Sequence, residues 1–458
     1  MRRREFVRAS VALPVSGLTL MGCESAGSNR YLEGNFAPVL TESTVTSLDV
    51  TGSIPEDLIG RFVRNGPNPD AAANRTRYHW FAGRGMVHGV RLDAGRATWY
   101  RNRYVASASG QTPNTSVIEH AGKTFAVVES GGLPVELDYE LASVDDNVTM
   151  GGGFTAHPQL DPDTGELHAI CYDWATLRDH VRYVVIDRNG VLRTEMKIRL
   201  PGMSMIHNMS ITERYAVIYD LPVTLSFLAL GTGSRFPFRW NDDYEARVGL
   251  LPRQGDDRDI IWSSLKPNYA YHPMNAYEDP EGRVVIDVVR YDKMFQHDTN
   301  GPFGDSLPRM DRWTINPVSR TVSEEIVDER PQEFPRCHPG LNGKPYRYGY
   351  SVAVDSNYEF PAFYKHDLQK GIATEIPMGA GRHGAEPVFI PRASAQSEDD
   401  GYLMTYVYDK SRNASDLVIF DAQDTDRSPV SSIHLPVRVP YGFHGNWIPD
   451  RPLSGASV

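Results

Sequence analysis

One local pattern repeats through most of the chain: a run of β-branched and aromatic residues, five to ten long, that ends on turn residues. Examples are FAVVE at 125 to 129, ELHAICYDW at 166 to 174, YVVIDRNGVL at 183 to 192, YAVIYDLPV at 215 to 223, RVVIDVVRY at 283 to 291 and YLMTYVYD at 402 to 409. None carries the 3.6-residue apolar period of an amphipathic helix, so short antiparallel strands are expected. Turn signals separate them, namely Asp163-Thr164-Gly165, Arg188-Asn189-Gly190 and Asp279-Pro280-Glu281-Gly282. An abundance of glycine, proline, tyrosine and valine supports the same reading. Many short strands without helices predict a sandwich, a barrel or a propeller, and 458 residues favour small sheets repeated around an axis. No clean repeat period is visible, which argues against a WD-type array. The stretch from Leu221 to Arg253 breaks the rhythm and is expected to run over one face rather than form a blade.

Charge narrows the partners. The net charge is -11, and no Lys/Arg cluster follows the first few residues, so no nucleic-acid partner is expected. Residues 1–23 read as an export signal, with a twin-arginine start (Arg3-Arg4-Glu5-Phe6-Val7-Arg8) and a lipobox-like Leu20-Met21-Gly22-Cys23. The apolar run from Val11 to Met21 is shorter than the ~20 residues a membrane span needs. A periplasmic protein is expected, held peripherally at a membrane through acylated Cys23. Residues 24–38 read as a tether, 39–450 as one β-rich domain and 451–458 as a tail. Cys171 and Cys337 are expected to stay unpaired, since each lies in an apolar or aromatic strand context.

Four histidines lie in turn-flanked apolar settings far apart in sequence: His157 in GGGFTAHP, His207 in MSMIHNMS, His272 in YAYHPMNAYE and His444 in YGFHGNWIP. Imidazole is the commonest side-chain metal ligand, and a propeller brings inner strands of different blades to one axis. Residue chemistry alone leaves zinc, copper, iron and nickel open. His79 and His88 are expected to play no metal role, with His88 packed or hydrogen-bonded in the core. His120, His168, His180, His297, His338, His366, His383 and His434 are expected to be solvated or locally bonded.

From about residue 38 to 450 the chain resembles the carotenoid cleavage oxygenases. The strings that carry the likeness include GRFVRNGPNP at 60 to 69, HWFAGRGMVHGVR at 79 to 91, NTSVIEHAGK at 114 to 123, ESGGLPVELD at 129 to 138, FTAHP at 154 to 158, EFPRCHP at 333 to 339, AEPVFIPR at 385 to 392 and GFHGNW at 442 to 447. The resemblance implies an all-β fold, a seven-bladed β-propeller with a dome of loops and short helices over the metal face. It implies that His157, His207, His272 and His444 hold one iron(II), and that Glu129, Glu333 and Glu386 accept the far ring N–H groups of ligands. Without it, Glu129 and Glu386 read as strand-end surface carboxylates. It places Thr115 beside the iron; otherwise Thr115 is an ordinary turn hydroxyl.

The implied reaction is dioxygen-dependent cleavage of a carbon–carbon double bond in an apolar conjugated substrate, giving two carbonyl products. Phe154, Tyr271, Phe443 and Trp447 adjoin ligands and either line the substrate tunnel or pack the blades. Stilbene-cleaving relatives carry a lysine where this chain has Val128, which favours a carotenoid or apocarotenoid over a stilbene. Two other departures stand out: Asn208 follows His207 in place of the usual aspartate, and FAGRGM at 81 to 86 replaces FDGDGM. Two readings compete: a retinoid isomerohydrolase of the same fold, which the bacterial export signal weighs against, and a lipoprotein propeller that binds an apolar ligand without turnover. Oligomeric state is not legible.

Overall fold

The computed structural model describes residues 29–70, 78–107, 111–145, 150–424 and 428–450, which form a seven-bladed β-propeller. The export signal, the lipobox and the 451–458 tail lie outside the described residues. The sequence runs become strands as expected: Lys123–Val127, Leu167–Cys171, His180–Ile186, Tyr215–Asp220, Val284–Tyr291 and Gly401–Asp409. Each hairpin signal joins two paired strands. At Asp279–Gly282 the Asp279 carboxylate accepts the backbone N–H groups of Glu281 and Arg283, and Gly282 sits at φ +76°, where a side chain would be strained.

Four blades are four-stranded meanders in chain order, and a fifth encloses an insertion. The other two close the ring. Gly445–Pro449 from the C-terminal end pairs with Gly60–Pro67 in the first blade, while Asp49–Gly52 from the N-terminal end pairs with Ser431–His434 in the last. Seven strands line the hub: Ser116–His120, Gln159–Leu160, Met209–Ile211, Tyr269–Glu278, Gln332–Cys337, Val388–Pro391 and Gly445–Pro449. Blade-to-blade packing runs largely through these strands.

Two expectations are corrected. The stretch expected as a 221–253 excursion ends earlier: Val223–Leu225 pairs with Phe238–Trp240 around the short helix Phe227–Gly231, but Arg247–Pro252 is a blade strand paired with Tyr215–Asp220. Its short run Val248-Gly249-Leu250-Leu251, buried throughout, was hidden beside the irregular segment. The described part of the 24–38 tether is packed, because Tyr31 is 1% exposed and stacks on Trp80 at 5.6 Å, and Phe36 meets Trp80 edge-on at 5.3 Å. A Cβ on Gly301 would lie 2.1 Å from the Tyr31 ring, so that close approach requires glycine. Aromatic burial overrode the polar composition of the segment.

The excluded histidines are mostly buried. His88 binds the Tyr100 hydroxyl (2.9 Å), as expected of a core residue. His168 binds the Tyr183 hydroxyl, His120 binds the Asp187 carbonyl across 67 positions, and His366 binds Gln332. These three pin neighbouring strands rather than sit in solvent. Cys171 and Cys337 are both free.

Candidate metal centre

Each hub strand brings one polar group to the axis, at or near its start. Thr115 precedes Ser116–His120, His157 precedes Gln159–Leu160, His207 precedes Met209–Ile211, Glu386 precedes Val388–Pro391 and His444 precedes Gly445–Pro449. His272 and Glu333 lie inside their strands, where the pairing is bulged: the register shifts around Pro273 and again between Glu333 and Arg336. Bulges break the two-residue alternation and re-aim side chains. Phe334, in the second bulge, has φ +51°, a left-handed conformation that costs a non-glycine residue roughly 1 kcal/mol or more. That turn puts both Phe334 and Glu333 into the wall of one cavity.

The donor nitrogens of His157, His207, His272 and His444 all lie within 4.8 Å of one another. Three of the four rings have fixed tautomers. His207 Nδ1 donates to Glu129 (2.9 Å), His272 Nδ1 to Glu333 (2.6 Å) and His444 Nδ1 to Glu386 (2.9 Å). Each Nε2 is therefore left with a lone pair. His207 Nε2 and His272 Nε2 face each other at 3.3 Å with no proton to share, and His157 Nε2 is buried without a partner. Facing lone pairs repel, and a cation between them removes the conflict. The donor set thus fits a divalent metal with neutral nitrogen ligands. His157 alone has no carboxylate among the described residues.

Electrostatics keep two of the candidate ligands, His157 and His444, in the binding form. Burial, followed by the three neighbouring histidines, holds His157 well below the ordinary imidazole range. Burial also holds His444 at about 4, against the opposing pull of Glu386. For Glu386 burial acts upward, but Arg336, His444 and the Gly445 N–H outweigh it and hold the carboxyl at about 2. Glu333 is lowered in the same way: burial is outweighed by His272, the Phe334 N–H and the Tyr291 hydroxyl, which donates at 2.8 Å.

The centre opens into a cavity of about 440 Å³ with aromatic walls, among them Trp80, Phe81, Phe236, Tyr271, Phe334 and Phe443. Of the four aromatic residues proposed for the tunnel, Tyr271 and Phe443 line this cavity. Phe154 and Trp447 do not. Phe154 is fully buried in a blade cluster with Phe125 and Val127, while Trp447, on the strand Gly445–Pro449, alternates away from the axis and packs on the cluster around Phe62. Thr115 lines the cavity with its hydroxyl donated to Asn114 Oδ1 (3.0 Å). Val128 is also in the wall.

Comparison with known proteins decides the family. The profile of the retinal pigment epithelial membrane protein family matches residues 36–112 and 106–449. A carotenoid cleavage oxygenase of Mycobacterium tuberculosis is 42% identical, over 92% of this chain and 98% of that protein. This chain is a member of the carotenoid cleavage oxygenase family. Among solved structures, the oxygenase resembles cobalt-substituted Synechocystis ACO (TM-score 0.81, 27% identity, 90% of this chain and 97% of that one). It also resembles Pseudomonas brassicacearum lignostilbene dioxygenase (TM-score 0.84, 27% identity, 92% and 98%).

The departures in the oxygenase's motifs are now placed. Asn208 Oδ1 accepts the N–H of Met209 and the amide of Gln159, a structural bridge between two hub strands. Arg84 lies over the Tyr104 ring and meets Asp70 at 3.4 Å, whereas Ala82 lines the cavity and keeps that wall apolar. His79, set aside in the sequence, is a wall residue stacked on Phe236 at 4.1 Å. Its signal was the aromatic string that follows it. Arg336 was also missed: it meets Glu386 at 3.5 Å and donates to the Gly445 carbonyl, and its position in EFPR next to Glu333 was the available hint.

Proposed function

We propose that this oxygenase is an iron(II)-dependent dioxygenase that cleaves one carbon–carbon double bond of an apolar conjugated substrate, a carotenoid or apocarotenoid, into two carbonyl fragments. Dioxygen is the co-substrate. The observation that carries the reading is the convergence of four imidazoles, His157, His207, His272 and His444, the last three of them in the wall of an aromatic cavity. Iron(II) held by His157, His207, His272 and His444 would supply the activation of dioxygen. The chain supplies the rest: Glu129, Glu333 and Glu386 fix ring orientation, and Phe81, Phe334 and Phe443 exclude water and hold a flat apolar chain.

Adding both atoms of dioxygen across a double bond gives two carbonyls without any net proton transfer. The cavity matches that economy. Its two carboxylates, Glu129 and Glu333, are engaged by ligand histidines, and the Thr115 hydroxyl is engaged by Asn114. Thr115 therefore acts by its bulk beside the centre and not as an acid or base. A stilbene substrate is the second reading, supported by the likeness to the lignostilbene dioxygenase structure; Val128 weighs against it. Twin-arginine export and anchoring through Cys23 belong to the same proposal, since they would bring the enzyme to a membrane where polyenes partition.

The test is anaerobic loading with iron(II), then aerobic incubation with a panel of apocarotenals and hydroxystilbenes, with products separated and oxygen uptake followed. Two carbonyl fragments and one dioxygen per cleavage are expected. Iron-loaded protein that gives no carbonyl product from any polyene or stilbene would overturn the proposal.

A further inference from the structure

The cavity wall contains a single Lys or Arg side chain among the described residues, Arg235. It lies on the excursion between the blade strands Tyr215–Asp220 and Arg247–Pro252, just before Pro237 and the excursion strand Phe238–Trp240. Arg235 is exposed while lining the cavity, which places it where the cavity meets solvent. No ion pair or hydrogen bond engages its guanidinium among the described residues. Its neighbours contrast with this: Arg239 donates to the carbonyls of Phe236 and Phe238, and Lys293 pairs with Asp242.

A line of ring contacts runs from the metal centre toward this part of the wall. The His207 ring meets Tyr271 at 4.6 Å, Tyr271 meets Phe81 at 5.9 Å, and Phe81 meets Phe236 at 5.5 Å, the residue that follows Arg235. A flat conjugated chain lying along those rings would have one stretch at the histidines and one end at the guanidinium. Arginine presents a planar fork of donors that matches a carboxylate and also binds a carbonyl oxygen, and it has no affinity for a hydrocarbon terminus. Beside Glu129, by contrast, the wall offers Val128 and Ser130, neither of them charged.

We propose that Arg235 selects the distal end of the substrate, so that the preferred substrate is a conjugated chain ending in an oxygenated group, a carboxylate above an aldehyde and both above a hydrocarbon. This rests on the reading of the cavity as the substrate site. The ion pair would form at the solvent boundary, where charge-assisted bonds are partly screened, so a preference of about tenfold between carboxylate and hydrocarbon ends is expected.

Binding without turnover tests it. Cobalt-loaded protein is titrated anaerobically with three polyenes of equal length that end in a carboxylate, an aldehyde or a methyl group, and quenching of tryptophan fluorescence gives each Kd. Wild-type protein should bind the acid about tenfold more tightly than the methyl-ended chain. Arg235→Gln should bring the three Kd values within about twofold, with the methyl-ended value unchanged, and Arg235→Lys should restore part of the preference. A wild type without end-group preference, or an Arg235→Gln variant that keeps it, overturns the proposal. If the preference behaves as stated but iron-loaded enzyme cleaves no polyene, the oxygenase reading fails while the role of Arg235 stands.

Discussion

Glu386→Gln should weaken metal binding more than Glu333→Gln, although both carboxylates orient one ligand histidine. Both Glu386 oxygens face donors, His444 Nδ1–H at 2.9 Å and the Gly445 N–H at 2.8 Å. Glutamine offers one oxygen and one NH2 group, so in either orientation the NH2 confronts a donor. One buried donor is then left unpaired, at about 1–3 kcal/mol, and the surviving bond loses its charge assistance, about 1 kcal/mol more. A total of ~3 kcal/mol corresponds to roughly 100-fold in affinity, at the upper end of what the loss of such a partner costs a metal site. Glu333 differs because one of its oxygens accepts only from the Tyr291 hydroxyl, which can rotate and accept from an amide instead. Glu333→Gln should therefore cost nearer tenfold. Calorimetric titration of the metal-free variants with Co2+, which avoids oxidation, reads both values. An effect of Glu333→Gln equal to or above that of Glu386→Gln would refute the donor count, as would a Glu386→Gln affinity within twofold of wild type.

Tyr31→Ala removes a ring that backs Trp80 in the cavity wall and should cost ~3 kcal/mol, measured by urea denaturation; a loss below 1 kcal/mol would mean that the 29–38 segment does not support the dome. Four buried histidines outside the metal centre set a pH dependence: burial holds His79 and His88 at about 3, and His168 and His366 at about 4, below the ordinary value of 6.5. The unfolded chain takes up these protons below pH 6.5 and the folded one does not, so their stability is full above 6.5 and lost as pH falls toward 4. At pH 5 each would cost ~2 kcal/mol. A urea midpoint unchanged between pH 7 and pH 5 would contradict neutral buried imidazoles. On the proposed export and anchoring, Cys23→Ser should shift the protein from the membrane to the soluble periplasmic fraction; wild-type protein already found soluble would argue against the anchor.

What the sequence disclosed followed the reach of each signal. Strand content and hairpins were legible, because β-branched runs and Asp-Gly turns act locally, as at Asp279–Gly282. The histidine quartet was legible as a candidate through its settings and its family strings; its geometry was not, since closure depends on bulges at Pro273 and Phe334 that no local rule places. Phe154 and Trp447 show the limit of adjacency. Each lies three residues from a ligand histidine, yet each faces a blade core. Arg336 and the wall role of His79 arise from contacts between remote segments, Arg336 with Glu386 and Gly445, His79 with Phe236. The packing of Tyr31 was hidden because composition describes a segment's solubility and not the groove waiting for one of its rings.

Anomalous scattering at the iron edge, from crystals grown anaerobically with iron(II), tests the central claim most directly. A single strong peak at the hub, bounded by the Nε2 atoms of His157, His207, His272 and His444, is the expected result. A hub without iron after reconstitution, or iron bound only elsewhere, would contradict the metal centre and with it the oxygen chemistry proposed for this chain.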